Sequence, residues 1–191
     1  NWSPALVPNS ANVTIPSLGI TNFPEVTAVT IATGKTLTLQ ADSKLNVTGV
    51  LTNNGTMTIE SGATLVQGTS STLAGSGVYN VKQTITGAGT STPTGRFWYL
   101  GSPVATSSSS VLFANTANVV KKRDEATNAW IALASGTPEN LSVGRGYYTQ
   151  AMANSTVTFT GGNINNGTVN ISNLSRTSGV NFEGFNLVSN P

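Results

Sequence analysis

The sequence contains no cysteine and no histidine, and only 8% of its 191 residues are charged. An average soluble domain carries roughly 25%. Without those two residue types there is no zinc site of the usual kind, no disulfide framework, no thiol nucleophile and no Ser-His-Asp triad. The common ligation of haem and iron–sulfur clusters goes with them. Seven carboxylates remain, Glu25, Asp42, Glu60, Asp124, Glu125, Glu139 and Glu183, scattered along the chain. Metal-assisted or paired-carboxylate chemistry would need several of them to converge. The expectation is a protein that is not an enzyme, with no catalytic residue, no metal and no cofactor.

Long apolar runs are missing too: none approaches the roughly 20 residues that span a bilayer, so no membrane span is expected. The chain opens Asn1-Trp2-Ser3-Pro4 with no signal peptide and stops at Asn190-Pro191, which reads as a mature or excised piece of something longer. A basic stripe is also absent. The net charge of +2 comes from nine Lys and Arg against seven acids. Only Lys121, Lys122 and Arg123 are adjacent, and Asp124 and Glu125 follow at once and are expected to balance them. Nucleic acid is therefore not an expected partner.

What fills the space is Thr (29), Ser (21), Asn (21) and Gly (20). Low charge with abundant Thr, Ser and Asn suits extracellular β-rich proteins. Apolar residues alternate with polar ones, as in Val29-Thr30-Ile31, Leu37-Thr38-Leu39, Leu45-Asn46-Val47 and Met57-Thr58-Ile59, and no stretch keeps a helical period over three turns. The chain is expected to be all-β.

Up to residue 88 the strands are very short and recur with turns at Gly34, Asp42, Asn54-Gly55 and Gly62. Ile31–Leu37 also aligns with Ile59–Leu65 at an offset of 28 residues, a degenerate repeat. Asn54-Gly55 is the strongest hairpin signal in this stretch, but three-residue strands make poor hairpin arms and ordinary rungs of a parallel β-solenoid (β-helix). A solenoid-like repeat domain is expected over 1–88. A Gly/Thr/Pro-rich linker over 89–95 follows, then a β-sandwich or jelly-roll-like domain over 96–191, truncated at its C-terminus. Ten of the thirteen Phe, Trp and Tyr residues fall in this second part. Its strands are expected at Arg96–Leu100, Val119–Arg123, Ala129–Leu133, Gly146–Ala151 and Thr156–Thr160, the second and third forming a hairpin.

Several segments resemble modules of secreted and cell-surface proteins of Bacteroidota. In the first half they are Pro8-Asn-Ser-Ala-Asn-Val-Thr-Ile15, Thr30-Ile-Ala-Thr-Gly-Lys-Thr-Leu-Thr-Leu39 and Leu51-Thr-Asn-Asn-Gly-Thr-Met-Thr-Ile59. In the second half Trp98-Tyr-Leu-Gly-Ser-Pro-Val104, Leu141-Ser-Val-Gly-Arg-Gly-Tyr-Tyr148, Thr156-Val-Thr-Phe-Thr-Gly161 and Gly184-Phe-Asn-Leu-Val-Ser-Asn-Pro191 resemble the domain that precedes the sorting domain in such proteins. The resemblance implies a large extracellular or outer-surface protein, often adhesive, that meets the type IX secretion machinery during export.

Three places are candidate sites. Thr36, Thr38, Thr56 and Thr58 should point outward if Leu37, Leu39, Met57 and Ile59 point inward, giving a regular hydroxyl face of the kind that orders ice. Threonine is favoured on any exposed strand face, however, and Lys35, Lys44 and Asn46 are expected to interrupt the array. Trp98, Tyr99, Trp130, Tyr147 and Tyr148 form the second candidate, a stacking platform for sugar rings. One residue of each adjacent aromatic pair should face out while its neighbour builds the core. Asp124-Glu125 beside Asn128 supplies too few oxygens for calcium and is expected to be a solvated turn. Nine Asn-x-Ser/Thr sequons barely exceed the number chance would give, and no function is assigned to them.

The function expected is that of a structural or adhesive module whose partners are surface glycans or other copies of itself. A carbohydrate-binding accessory module of a secreted enzyme and a self-assembling surface filament are the alternatives. Ice binding is a weaker one.

Overall fold

The structure is a computed structural model that describes residues 12–17, 24–88, 95–115, 118–172, 174–179 and 181–190. The opening motif at residues 1–11 and residues 89–94 of the expected linker lie outside the described residues. The protein is all-β, with a single short 3-10 helix among the described residues. It divides into two compact units, Asn1–Lys82 and Gln83–Pro191.

The first unit contains β1 (Val13–Ile15), β2 (Glu25–Ile31), β3 (Thr36–Leu39), β4 (Lys44–Asn53), β5 (Thr56–Ile59), β6 (Thr64–Gln67), β7 (Thr72–Ala74) and the start of β8 (Val78–Ile85). Pairing is parallel throughout these strands. In one sheet β1, β3, β5 and β8 lie side by side, with partners 24, 20 and 22 residues apart (Val13 with Leu37, Thr36 with Thr56, Thr56 with Val78). In the other, β4 pairs with β2 on one side and with β6 and β7 on the other. From β1 to β6 consecutive strands alternate between the sheets, and β6 and β7 then share one before β8, so the chain returns to the same sheet about every twenty-two residues.

Period-2 alternation then sorts the side chains. Ile15, Leu37, Leu39, Met57, Ile59 and Tyr79 from the first sheet and Ile31, Leu45, Val47 and Leu51 from the second are all buried. Like sits on like: Leu37 beside Met57 beside Tyr79, Leu39 beside Ile59. Each such side chain taken out of water is worth roughly 1.5–3 kcal/mol, and this is what holds strands of three or four residues together.

Corners need residues that tolerate a left-handed backbone, and Gly34 (φ 73°), Asp42 (φ 61°) and Gly62 (φ 87°) supply them. The 28-residue self-similarity comes from these corners. Ile31 and Ile59 lie in different sheets, so 28 is not the stacking distance; each segment is a strand end, a tight turn and a strand start. Asn54-Gly55 does not make a hairpin either, because β4 and β5 belong to different sheets. Its glycine is required by crowding: a Cβ on Gly55 would lie 2.2 Å from the Lys35 carbonyl oxygen and 2.4 Å from that of Ala32. Next to it the fully buried Asn53 accepts from the Gly55 N–H (3.1 Å) and donates to the Val78 carbonyl (3.0 Å), which ties one corner to the next.

The second unit is built on a four-stranded antiparallel sheet. Its strands, β9 (Arg96–Leu100), β10 (Val119–Asp124), β11 (Ala129–Ala132) and β12 (Tyr147–Ala151), are arranged β11-β10-β12-β9. β10 and β11 form the expected hairpin. The 3-10 helix Ser109–Phe113 packs against β10 and against β13 (Ser155–Gly161). Val104, Leu112, Val120, Leu141, Tyr147, Ala151, Val157 and Phe159 make the core of this unit.

Candidate ligand-binding face

Register across the four-stranded sheet decides which side chains share a face. Tyr99 stands opposite Tyr148, which stands opposite Lys121. Phe97 stands opposite Gln150, and Arg123 opposite Trp130. Because alternate residues of a strand share a side, Phe97, Tyr99, Tyr148, Lys121, Arg123 and Trp130 all lie on one face. Trp98, Tyr147, Thr149 and Val120 occupy the other, which is the core side.

The outer face is an aromatic cluster centred on Tyr148. Its ring centroid lies 5.4 Å from Phe97, 6.1 Å from Tyr99 and 5.6 Å from Trp130, and Trp130 continues to Phe185 at 6.3 Å. The interplanar angles of 34–65° are the tilted and edge-on arrangements that aromatic quadrupoles prefer. Tyr148 is half-buried between rings that are open to solvent: Phe97 is 55% exposed, Tyr99 62%, Trp130 38% and Phe185 46%. Burial and the nearby Tyr99 raise the Tyr148 hydroxyl above its ordinary pKa, so it stays neutral.

Of the five aromatic candidates, the structure keeps Tyr99, Trp130 and Tyr148 on this face. Tyr147 is 1% exposed, and its hydroxyl accepts the Ser142 N–H at 2.9 Å, so its ring offers no surface to a ligand. Trp98 is half-buried and donates from Nε1 to the Thr86 carbonyl at 3.0 Å. Phe97 and Phe185 take their places. Alternation within Phe97-Trp98-Tyr99 puts Phe97 on the Tyr99 side; Phe185 reaches the face from a distant loop, and no local pattern marks it.

The cations differ from expectation as well. Lys122 pairs with Glu139 (2.6 Å) and not with the adjacent acids. Lys121 and Arg123 have no ion pair among the described residues. The Lys121 Nζ lies 6.0 Å from the Tyr148 centroid, and the Arg123 guanidinium carbon 5.7 Å from that of Phe185. Arg123 is 5% exposed; one of its amino groups donates to Asn128 Oδ1, while its buried Nε has no hydrogen-bond partner.

Glu125 is not a solvated turn residue. It is 3% exposed and accepts from the Thr177 N–H (2.7 Å), the Thr177 hydroxyl (3.1 Å) and the Gly184 N–H (2.9 Å). Those N–H groups, Thr177 first and Gly184 second, hold its carboxyl at a pKa of about 2, outweighing the opposing effect of burial. Glu125 thereby fastens the loop that delivers Phe185 to Trp130 and Arg123. Beneath the loop is a cavity of about 280 Å³ lined in part by Arg123, Glu125, Arg145 and Asn186.

Thr36, Thr38, Thr56 and Thr58 are brought together in the first unit. Thr36 stands beside Thr56, and Thr14, Thr38 and Thr58 form a second column that ends at Asn80. The four candidates are half-buried. Lys44 and Asn46 belong to β4 in the other sheet and do not interrupt these columns. Among the described residues no group of three Asp or Glu is placed to hold a metal ion, and no helix is long and apolar enough to cross a membrane.

A family described as a domain of unknown function (DUF8693) matches residues 1–191, and the chain belongs to it. No curated protein and no solved structure matches the chain.

Proposed function

We propose that this chain is a non-catalytic structural and adhesive module of a larger secreted or cell-surface bacterial protein, and that it works outside the cell. The observation that carries the adhesive part is the open aromatic face. Phe97, Tyr99 and Trp130 expose 38–62% of their surface side by side on a single sheet. Contiguous exposed apolar surface of this kind marks a place of interaction, and aromatic rings flanked by hydroxyl and amide groups suit the apolar faces of sugar rings. In this proposal the parallel strand stack is a short solenoid that serves as a stiff spacer, and the aromatic face makes the contact. Export by type IX secretion is part of the proposal and is supported by the sequence resemblance to Bacteroidota surface proteins.

A non-catalytic role is supported by how the acids are used. Glu60 pairs with Lys82, Glu139 with Lys122 and Glu183 with Arg176, while Glu25 accepts from Asn46 and Glu125 from the Thr177–Gly184 loop. The test is binding of the whole chain to an array of immobilised glycans. Wild type should bind a subset of them, and a Tyr99→Ala, Trp130→Ala double variant with an unchanged circular dichroism spectrum should not. Equal binding by both proteins, or none by either, would defeat the adhesive proposal. Fibres that grow with concentration would favour the filament instead.

A further inference from the structure

Resting on that adhesive proposal, we infer that the outer face takes an anionic sugar polymer, a polyuronate, in preference to a neutral one. The rings alone would serve either. The charges on the face are what separate them. None of the cross-strand rows that form the face contains a carboxylate. Lys82, Lys122 and Arg176 are paired with Glu60, Glu139 and Glu183, whereas Lys35, Arg96 and Arg145 have no ion pair among the described residues. Here Lys121 and Arg123 have none either. Arg123 is nine-tenths buried with an unpartnered Nε, donates to Asn128 and lies over the Phe185 ring. A guanidinium buried with one of its nitrogens unpartnered is costly to maintain.

A pyranose ring resting on Tyr99 would carry a C6 carboxylate toward the Lys121 ammonium, because Lys121 lies in the same cross-strand row, with Tyr148 between them. Tyr148 acts as the buttress: it is half-buried, braces Phe97, Tyr99 and Trp130, and holds the ammonium over its own ring. Single-stranded nucleic acid would also stack and is also anionic. Tracking a phosphate backbone takes a row of Lys and Arg, however, and this face has two.

The experiment is calorimetric titration of the full chain with oligogalacturonate and oligomannuronate, with their methyl esters, and with an oligothymidylate. The esters keep the ring and remove the charge. At least one acid form should bind more tightly than its ester by roughly three-fold, the size of an exposed ion pair. Raising the salt should erase that difference. Lys121→Gln should erase it too, leaving the ester unaffected. Tyr99→Ala should weaken acid and ester alike by about ten-fold, as loss of a central ring contact does. Phe97→Ala, also at an exposed position, provides a second variant for the same comparison.

Equal affinity for acid and ester would overturn the uronate assignment while leaving glycan adhesion standing. No binding of any uronate or ester overturns it as well, and binding of neutral glycans on the array then shows whether adhesion itself survives. Tighter binding of oligothymidylate would assign the face to nucleic acid. A concentration-dependent dimer abolished by Tyr99→Ala would assign it to a second copy of the chain.

Discussion

Tyr147 and Tyr148 are neighbours in sequence with opposite surroundings, because a strand sends successive side chains to opposite faces. Tyr147 fills the core and caps the Ser142 N–H. Tyr147→Ala should cost about 3–5 kcal/mol, in the range of a large aromatic deleted from a core. Tyr147→Phe keeps the ring and gives up one hydrogen bond from the N–H of the exposed Ser142, so about 0.5–1.5 kcal/mol is expected. Tyr99→Ala, at the surface, should stay within roughly 0.5 kcal/mol. Urea unfolding of the three variants checks the order. Glu125 makes a prediction about acid. Its folded pKa of about 2 lies below its ordinary 4.5, so its contribution to stability is present above pH 4.5 and disappears as the pH falls toward 2. Glu125→Gln should flatten the acid limb of the stability curve over that window. It should also speed amide exchange at Thr177 and Gly184 at neutral pH. Unchanged exchange at both amides would mean that the carboxylate does not fasten the loop. Alternation made the two faces of β9 and β12 readable from sequence, but not which face met water, since both carry aromatics. Glu125 was not readable at all, because its partners lie more than fifty residues away.

Strands and corners were easier to anticipate than side-chain fates. Short alternating runs fixed β3 and β5 closely, because a period of two is a local property. The Asn54-Gly55 pair illustrates the limit. The same dipeptide that favours a two-residue hairpin also fits a corner where glycine is needed for close packing of backbone, and only the pairing of distant strands distinguishes the two. Gly55→Ala should therefore destabilise the first unit by more than about 1 kcal/mol. Gly136→Ala, where an added Cβ meets nothing within 4 Å, should be nearly neutral. Thermal melts of both variants test this, and similar melting temperatures would contradict the crowding seen at Gly55. The threonine columns extend over at most three strands before Asn80, a depth of about 10 Å at the usual strand spacing. That is a small patch for ordering a crystal lattice. No thermal hysteresis is expected in nanolitre osmometry, and a measurable value would make the hydroxyl columns a working surface.

At the scale of the whole chain, the change of texture from Thr-rich rungs to aromatic strands corresponds to two different ways of building a core. One stacks identical positions in parallel, and the other closes an antiparallel sheet over a 3-10 helix. Two such units predict a calorimetric enthalpy larger than the van't Hoff value; equality of the two would show that they unfold as one. The composition made the all-β class plain, since residues that favour strands and turns leave nothing to form a helix. The stacking in the first unit has a consequence for how such a chain changes over generations. Thr36 pairs with Thr56, and Val13 with Leu37. Excising a block equal to that spacing would place Met57 against Val13 with inside and outside preserved. Loss of a single residue within a strand would turn every later side chain of that strand to the wrong face. Lineages of this protein should therefore lengthen and shorten by whole turns of the stack, and single-residue gaps should gather at its corners.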